Sequence, residues 1–276
     1  MKTKRGIVLA GGGARGAYQI GVLLAFEEAG LLENISAISG ASIGSLNAVL
    51  LAAGDLQKAR DVWTNLDEKR VLVKEKSFLR SLFEHSGNLV QTGYYDSEPI
   101  RKTIEEVLDV EAVINHDVYA AITHAGDETS GFLDLLSVNW RQAFGKKALS
   151  RYVLLRELDK KGIVDTLLAS CAIPIIFRPV VVNGETHYDG GVLDRTPWKP
   201  LYDAGCDEIF LIDLFRFRMK RHRFPSDVTI YHIKPSRGLR GILDFRPDLN
   251  RMRIETGYRD GQAFVKRYHE SEHTSH

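Results

Sequence analysis

The chain has 276 residues, of which 44% are hydrophobic and 26% charged, with a formal net charge of +1 at pH 7. These values are typical of a globular protein with a full-sized core, and they argue against a disordered chain or a strongly basic nucleic-acid-binding protein. No stretch approaches the ~20 apolar residues that a membrane span requires, so we expect any contact with a membrane to be peripheral.

The two cysteines, Cys171 and Cys206, lack the spacing of metal ligands or of a disulfide framework. We predict two reduced, mostly buried thiols, no resident metal ion and a cytoplasmic location. Basic residues precede the apolar run at 7–10, as in a signal peptide, but that run ends at once in glycines and Arg15. We therefore interpret the N-terminus as a first strand.

Strand-like and helix-like segments alternate from this point. Residues 6–10 predict a strand, and residues 17–29 carry apolar side chains at helical spacing. Residues 35–38 predict a second strand, and residues 46–53 predict a buried helix that ends at Gly54. This alternation favours an α/β fold whose mainly parallel central sheet is covered on both faces.

Residues 55–108 are charged and helical in pattern, with no evident strand before Val118, and predict a cap-like insertion over the sheet. From about residue 247 the chain predicts a polar C-terminal helix, and nothing in the sequence divides residues 1–276 into separate domains. Later strands are predicted at 118–123, 132–138, 152–155, 180–182, 209–212 and 228–233.

The pentapeptide Gly40-Ala41-Ser42-Ile43-Gly44 lies between the second strand and the helix that follows it. A Gly-x-Ser-x-Gly sequence in that position forces a tight turn and exposes the hydroxyl at the amino end of the helix, where the helix dipole favours an anion. The same pentapeptide also occurs in ordinary turns, and it is the placement that favours Ser42 as a nucleophile. Gly40 and Gly44 would support the turn.

The loop Gly11-Gly12-Gly13-Ala14-Arg15-Gly16 formally matches the Gly-x-Gly-x-x-Gly fingerprint of dinucleotide-binding folds. That fingerprint requires an acidic residue at the end of the second strand, where this chain has Ser39-Gly40. Amides of successive glycines can instead stabilise an oxyanion, and one such donor contributes ~3 kcal/mol to a transition state. Arg15 is then either a positive charge near the pocket or an ordinary surface residue.

An acyl hydrolase also needs a base, and Asp189 is the candidate. The sequence Asp189-Gly190-Gly191 predicts a turn that aims a carboxylate into a cleft, although Asp-Gly is above all a plain turn signal. A Ser-His-Asp triad through His187 is an alternative. Against that triad, an elbow at position 42 comes too early in the chain for the usual α/β-hydrolase order.

Together these blocks resemble the bacterial patatin-like phospholipases. The resemblance covers residues 5–200 and rests on the glycine-rich loop with Arg15, the Gly40–Gly44 elbow, the run from Ala169 to Val180, and Asp189-Gly190-Gly191 followed by Pro197. Where many members of that family have asparagine shortly before this proline, the chain has Arg195, so a contact near the site is expected to differ.

The resemblance implies a three-layer α/β/α fold and a phospholipid or related lipid ester as substrate. It also implies a dyad of Ser42 and Asp189 that needs no histidine, metal or cofactor. The amides of Gly11, Gly12 and Gly13 would form the oxyanion hole. The other function classes that we consider are a small-ester esterase or thioesterase, and a non-catalytic, lipid-associated regulatory protein of the same fold.

Two basic segments are candidates for peripheral contact with a membrane surface. Residues 215–224 interleave phenylalanines with basic residues, and residues 66–83 contain Lys69, Arg70, Lys74, Lys76 and Arg80 on a predicted helix. Such segments attract anionic headgroups, but each is equally typical of a solvated surface. No nucleic acid is expected as a partner.

Overall fold

A computed structural model of the chain describes residues 3–66, 73–74, 95–124, 149–173, 177, 180–182, 184–217 and 224–274. The strand predicted at 132–138 lies outside these residues, as does most of the basic segment at 66–83.

Ten strands and eight helices are present among the described residues. The strands are β1 Arg5–Leu9, β2 Ile35–Ala41, β3 Val73–Lys74, β4 Tyr95–Asp96, β5 Val118–His124, β6 Leu149–Leu154, β7 Val180–Val182, β8 Glu185–Asp189, β9 Glu208–Ile212 and β10 Thr229–Ile233. The helices are α1 Ala17–Glu28, α2 Ile43–Ala52, α3 Leu56–Asn65, α4 Glu98–Val107, α5 Val110–Ile114, α6 Lys160–Cys171, α7 Lys199–Asp203 and α8 Pro247–Thr274.

Eight of the strands form one sheet in the order β10-β9-β1-β2-β5-β8-β7, and β6 also pairs with β5. Every pair from β10 to β5 is parallel. The pairs of β5 with β6 and β8, and of β8 with β7, are antiparallel. The mainly parallel sheet is thus confirmed, and it carries an antiparallel end that begins at β5.

Alternate residues of the central strands face two different apolar layers, as the period of a strand requires. Ile7 and Leu9 of β1 belong to the larger core, which joins the sheet to α1, α2, α3, α6 and α8. Val8 of β1 belongs to a smaller core on the other face, formed around Leu201 of α7 and Cys206. The three-layer α/β/α fold is therefore confirmed, with a thick helical layer on one face and a thin one on the other.

The C-terminal helix α8 packs closely along α1. A Cβ atom added to Gly21 would lie 2.0 Å from the Ile254 carbonyl oxygen, and one added to Gly257 would lie 2.0 Å from the Tyr18 carbonyl oxygen. Only glycine allows the two backbones to approach so closely. The polar segment predicted to be helical from residue 247 is confirmed, and it is part of the main helical layer.

Several boundaries differ from the predictions. The prediction that no strand precedes Val118 was wrong, because β3 and β4 form an antiparallel pair; two-residue strands are too short to produce a periodic signal. Strand β3 lies within the segment 66–83, so the helix predicted there is not continuous. The buried helix predicted from Leu46 begins at Ile43, directly after Ser42. Helix α3 packs on α1, α2 and α8; the cap-like insertion at 55–108 stays a prediction, since most of residues 67–94 lie outside the described residues.

Both cysteines are free and buried, as predicted. None of the helices described has both the length and the apolar character needed to cross a membrane.

Candidate active site

Strand β5 brings the candidate nucleophile and base together. Its partners β2 and β8 share one edge of β5, since β6 pairs along the other edge. Ala41 at the end of β2 lies opposite Ala121, and Asp189 at the end of β8 lies opposite Ile122. The carboxyl ends of two strands that run in opposite directions therefore meet at neighbouring residues of β5, and Ser42 follows the first of them.

Ser42 occupies a strained backbone conformation at the amino end of α2, with φ 53° and ψ −129°. A non-glycine residue with positive φ is uncommon and costs on the order of 1–3 kcal/mol. The turn is possible because its flanking residues are small: an added Cβ on Gly44 would lie 2.0 Å from the Leu9 carbonyl oxygen. On Gly40 it would lie 2.3 Å from the Gly44 carbonyl oxygen.

Ser170 of α6 holds this turn in place. Its hydroxyl donates to the Ala121 carbonyl at 2.6 Å and accepts from the Ser42 amide at 3.0 Å. Since the single proton of Ser170 is used on Ala121, Ser45 must be the donor in the 2.7 Å contact between the two hydroxyls. This network was not found from the sequence, although Ser170 lies within the run that carried the family resemblance.

Asp189 is buried at the end of β8, with 4% of its surface exposed. Its Oδ1 accepts the Gly191 amide at 2.6 Å, and its backbone oxygen accepts the Thr123 hydroxyl at 2.9 Å. The turn that follows needs glycine, because a Cβ on Gly190 would lie 2.1 Å from the Ala121 carbonyl oxygen. Asp189 and Ser42 line the same cleft, and the interaction with the Ser42 side chain lowers the pKa of Asp189.

Burial raises the pKa of Asp189 to about 7, although the hydrogen bonds from Ser42 and Gly191 act in the opposite direction. A carboxylate with a pKa near neutrality is a far stronger base than one with an ordinary aspartate pKa. Burial, followed by the charge of Asp189, also raises the pKa of the adjacent Cys171 thiol well above its usual range. Cys171 is therefore a neutral neighbour of the site.

The glycine-rich loop lies beside Ser42, and its amides differ in their hydrogen bonding. The Gly11 amide donates to the Arg195 carbonyl at 2.9 Å, so it is directed away from the cleft. Within the described part of the chain, no acceptor is found for the amides of Gly12 and Gly13. Gly13 has φ +56°, and a Cβ there would lie 2.1 Å from the Ile242 carbonyl oxygen. Two of the three predicted donors thus remain available to an oxyanion.

Three buried side chains support both ends of this loop. Gln19 donates to the Ala10 carbonyl at 2.9 Å. Asn47 donates to the Gly16 carbonyl at 3.0 Å and to Gln19 at 2.8 Å, and it accepts the indole N–H of Trp63 at 2.9 Å. This chain of residues could not be predicted from the sequence, since a single polar residue on an apolar helix has no distinct pattern.

Arg253 of α8 supports the loop from behind and is fully buried. Its guanidinium donates to the backbone carbonyls of Leu239, Gly241 and Asp244 at 2.7–3.0 Å. The segment that it clamps includes Ile242, whose carbonyl accepts the Ala14 amide at 2.7 Å. Arg253 therefore connects the C-terminal helix to the loop that lines the site.

Arg15 and Arg195 both contact the ring of Phe215, with guanidinium carbons 4.5 and 4.1 Å from the ring centroid. Arg15 also donates to the Arg240 carbonyl at 2.8 Å, and Arg195 lies 3.5 Å from the Asp213 carboxylate. Burial and the nearby charge of Arg195 lower the pKa of Arg15. Arg15 is thus a partly buried cation beside the cleft rather than an exposed surface residue.

Two cavities meet at Ser42. An open cleft of about 260 Å³ contains Asp189, the three loop glycines, Arg195 and Phe215. A narrow cavity of about 50 Å³ that also includes Ser42 is almost wholly apolar, and is lined among others by Leu46, Leu66, Ile100, Phe177, Leu243 and Phe245. Ser42 therefore lines both a cleft that contains the ionisable residues Asp189 and Arg195 and a separate apolar cavity.

The triad through His187 is not formed. The ring of His187 bonds the Glu185 carbonyl through Nδ1. Ser42 shares its open cleft with Asp189 and not with His187. No histidine among the described residues lines either cavity at Ser42. The predicted triad fails because His187 and Asp189, although they share a face of β8, lie opposite different residues of β5.

The fold and the site define an α/β protein with a serine elbow, a buried aspartate and a glycine-rich loop. Residues 7–202 match the patatin-like phospholipase family. The chain belongs to that family.

Two curated relatives are long proteins of which the chain matches a part. Lysophospholipase NTE1 of Cryptococcus neoformans is 28% identical over 212 residues, covering 76% of this chain and 11% of that protein. An uncharacterized NTE family protein of Mycobacterium tuberculosis is 26% identical over 210 residues, covering 75% of this chain and 48% of that protein. The chain thus spans from about a tenth to about half of these relatives.

Among solved structures, VipD from Legionella pneumophila is similar in fold. Its TM-score is 0.51 at 14% identity, and the match covers 96% of this chain and 67% of that one. At this identity the likeness concerns the fold.

Proposed function

We propose that the chain is a lipid acyl hydrolase that cleaves fatty-acyl esters of phospholipids or related lipids through a dyad of Ser42 and Asp189. The observation that carries this proposal is that Ser42, at a strained turn, and the buried carboxyl residue Asp189 line the same cleft. Family membership supports a lipid ester as the substrate.

In the first half-reaction, Asp189 accepts the proton of Ser42 as its Oγ attacks the ester carbonyl carbon. The carbonyl oxygen becomes an oxyanion, for which the amides of Gly12 and Gly13 are the available donors. The intermediate collapses when the ester C–O bond breaks. Asp189 returns its proton to the departing alcohol, and the acyl group remains on Ser42.

In the second half-reaction, Asp189 accepts a proton from water, which attacks the acyl-enzyme carbonyl. When the second tetrahedral intermediate collapses, the bond between the acyl carbon and Ser42 Oγ breaks, Asp189 returns the proton to Oγ, and the fatty acid is released. Asp189 serves as base twice and as acid twice, which suits a carboxyl whose pKa is raised to about 7 by burial. None of these steps uses a metal ion or a cofactor.

The two cavities divide the substrate between them. The apolar cavity beside Ser42 is suited to the first carbons of an acyl chain. The cleft on the other side presents Arg195 to the leaving group, where an anionic phosphate would pair with a guanidinium. This arrangement favours phosphate-bearing lipids over neutral glycerides.

The chain reaches its substrate at a lipid surface. Phe217 follows the cleft residue Phe215 and is 75% exposed, with the Arg216 guanidinium 5.4 Å from its ring centroid. Four further basic residues follow between 218 and 223 in the sequence. An exposed aromatic side chain among cations is suited to an anionic membrane interface.

The test compares the wild type with Ser42→Ala and Asp189→Asn. The substrates are a short-chain p-nitrophenyl ester, phospholipid vesicles and emulsions of neutral glycerides, with EDTA present throughout. We expect turnover by each variant to fall on the order of a thousandfold or more. Ser271→Ala, which changes an exposed serine of α8, should match the wild type.

A fluorophosphonate probe, which reacts with an activated serine, then helps to distinguish a hydrolase from a regulatory protein. It should label wild-type Ser42 and react much more slowly with Asp189→Asn. Undiminished turnover in Asp189→Asn would overturn the dyad. Activity confined to the small ester would indicate an esterase or thioesterase, and an unlabelled, inactive wild type would indicate a regulatory protein.

A further inference from the structure

Outside the proposed catalytic steps, three potential metal ligands converge on the antiparallel end of the sheet. His124 ends β5, and His187 lies opposite it on β8. Glu185 is two residues before His187 on the same strand, and side chains at this spacing share a face. One ligand atom from each of the three lies within 4.8 Å of the other two.

The lone pair of His187 is directed at this cluster. Its Nδ1 lies 2.9 Å from the Glu185 backbone oxygen, and because a carbonyl only accepts, Nδ1 carries the ring proton. Nε2 is then the unprotonated nitrogen. This atom is buried, has no hydrogen-bond partner among the described residues, and lies 3.9 Å from the Glu185 carboxylate. Burial also lowers the pKa of His187, which favours the neutral ring.

His124 repeats this arrangement from the neighbouring strand. Its Nδ1 is buried and lies 3.9 Å from the same carboxylate oxygen, again with no hydrogen-bond partner in the described part of the chain. The two ring centroids are 5.5 Å apart. Two imidazole nitrogens without a hydrogen-bond partner among the described residues thus face one carboxylate oxygen, and a cation between them would give both nitrogens a partner.

We propose that His124, Glu185 and His187 bind a divalent transition-metal ion of the Zn²⁺ class, which braces β5 against β8. Two imidazoles and a carboxylate are a familiar donor set for zinc, with the fourth position left to water. Tetrahedral bonds of ~2.1 Å place ligand atoms about 3.4 Å apart, so each of the two nitrogen–oxygen distances of 3.9 Å needs to shorten by about half an ångström. The hydrogen bond at His187 Nδ1 already sets the tautomer that a metal requires.

Arg151 competes for this site. Its guanidinium bonds the Glu185 carboxylate, and both side chains are partly exposed. Exposed ion pairs contribute little free energy, so an incoming ion can displace this one. Removing the Arg151 charge should therefore strengthen metal binding.

The test measures Zn²⁺ binding by calorimetry and Co²⁺ binding by visible absorption, using the 276-residue chain stripped of metal. All measurements use a parent protein with the substitutions His269→Ala, His273→Ala and His276→Ala, so that these three imidazoles do not bind the ion. We expect one ion per chain and a rise in melting temperature with Zn²⁺. His124→Ala and Glu185→Gln should each lower affinity by at least about tenfold and abolish the stabilisation by Zn²⁺.

His116→Ala, at an exposed imidazole elsewhere, should leave binding unchanged. Arg151→Gln should bind more tightly than the parent. No binding by the parent, or binding that His124→Ala and Glu185→Gln do not weaken, would overturn the site. Weaker binding by Arg151→Gln would contradict the competition and with it the proposed geometry. These readouts do not depend on hydrolysis, so they stand apart from the proposed function.

Discussion

Asp189 has to meet two requirements. Burial raises its pKa and so makes it a stronger base, yet it must be ionised to accept a proton. Its pKa of about 7 predicts that kcat/KM for a neutral p-nitrophenyl ester rises with pH, reaching half its maximum near pH 7 and a plateau about one unit above. The acid limb should have unit slope. A profile that is flat from pH 5.5 to 8.5 would show that Asp189 is not the base.

The raised pKa of Asp189 also makes the stability of the protein depend on pH, and this dependence is an independent check of that pKa. Between the ordinary value of 3.8 and about 7, the folded state binds more protons at Asp189 than the unfolded state does. The contribution of this carboxyl to stability therefore falls as pH rises through that window. The gain in melting temperature from Asp189→Asn should accordingly be larger at pH 8 than at pH 5.5.

The nucleophile and the base could be predicted because each sits in a glycine-flanked turn, and such turns have a sequence signature. Their supports could not. Ser170 lies in a mostly apolar helix, where its pattern is that of any small buried residue, and its role depends on the Ala121 carbonyl of a strand far away in the chain. Arg195 was noticed only as a departure from a pattern, and its contact with Phe215 needed the structure.

At the scale of elements, Arg253 connects helix α8 to the glycine-rich loop through the segment that contains Ile242. We therefore expect the geometry of the loop to depend on α8. Arg253→Met keeps the apolar stem but leaves several buried carbonyls without a donor. We expect it to lower the free energy of unfolding by about 3 kcal/mol, and to lower kcat more than it raises KM. Chemical denaturation and steady-state kinetics provide the two measurements.

Arg251→Met is the matched control, because Arg251 is exposed on the same helix. It should change neither quantity appreciably. Full activity in Arg253→Met, measured below its unfolding transition, would show that the clamp does not position the loop. The helix itself was evident from the sequence, but an arginine in a polar helix ordinarily faces solvent, so this buried role was not predictable.

At the scale of the whole molecule, the proposed lipid-facing surface separates activity on aggregates from activity on soluble esters. Burying a phenylalanine side chain contributes ~1.5–3 kcal/mol, so Phe217→Ala should reduce hydrolysis of anionic vesicles by about tenfold. Hydrolysis of the soluble ester should be unchanged. The measurement is the ratio of the two rates as vesicle concentration increases.

Val181→Ala serves as the comparison, since Val181 is also an exposed apolar side chain, with 62% of its surface exposed, but lies on β7, which pairs with β8 and not with β9. Its rate ratio should equal that of the wild type. Equal ratios for all three proteins would exclude Phe217 from membrane contact. The sequence suggested this surface only as one of two readings of a basic run, because charge patterns do not show which residues emerge beside a cleft.

The sheet order also has a consequence for how the protein is made. Strand β1 leaves the ribosome before its partner β9, which begins at Glu208, and before the clamp residue Arg253. Domains form during synthesis only as their contacting segments emerge. A nascent chain that ends before residue 208 already contains both members of the proposed dyad but lacks half of the support for its first strand. The proposed dyad is thus fully supported only after both β9 and α8 have been synthesised.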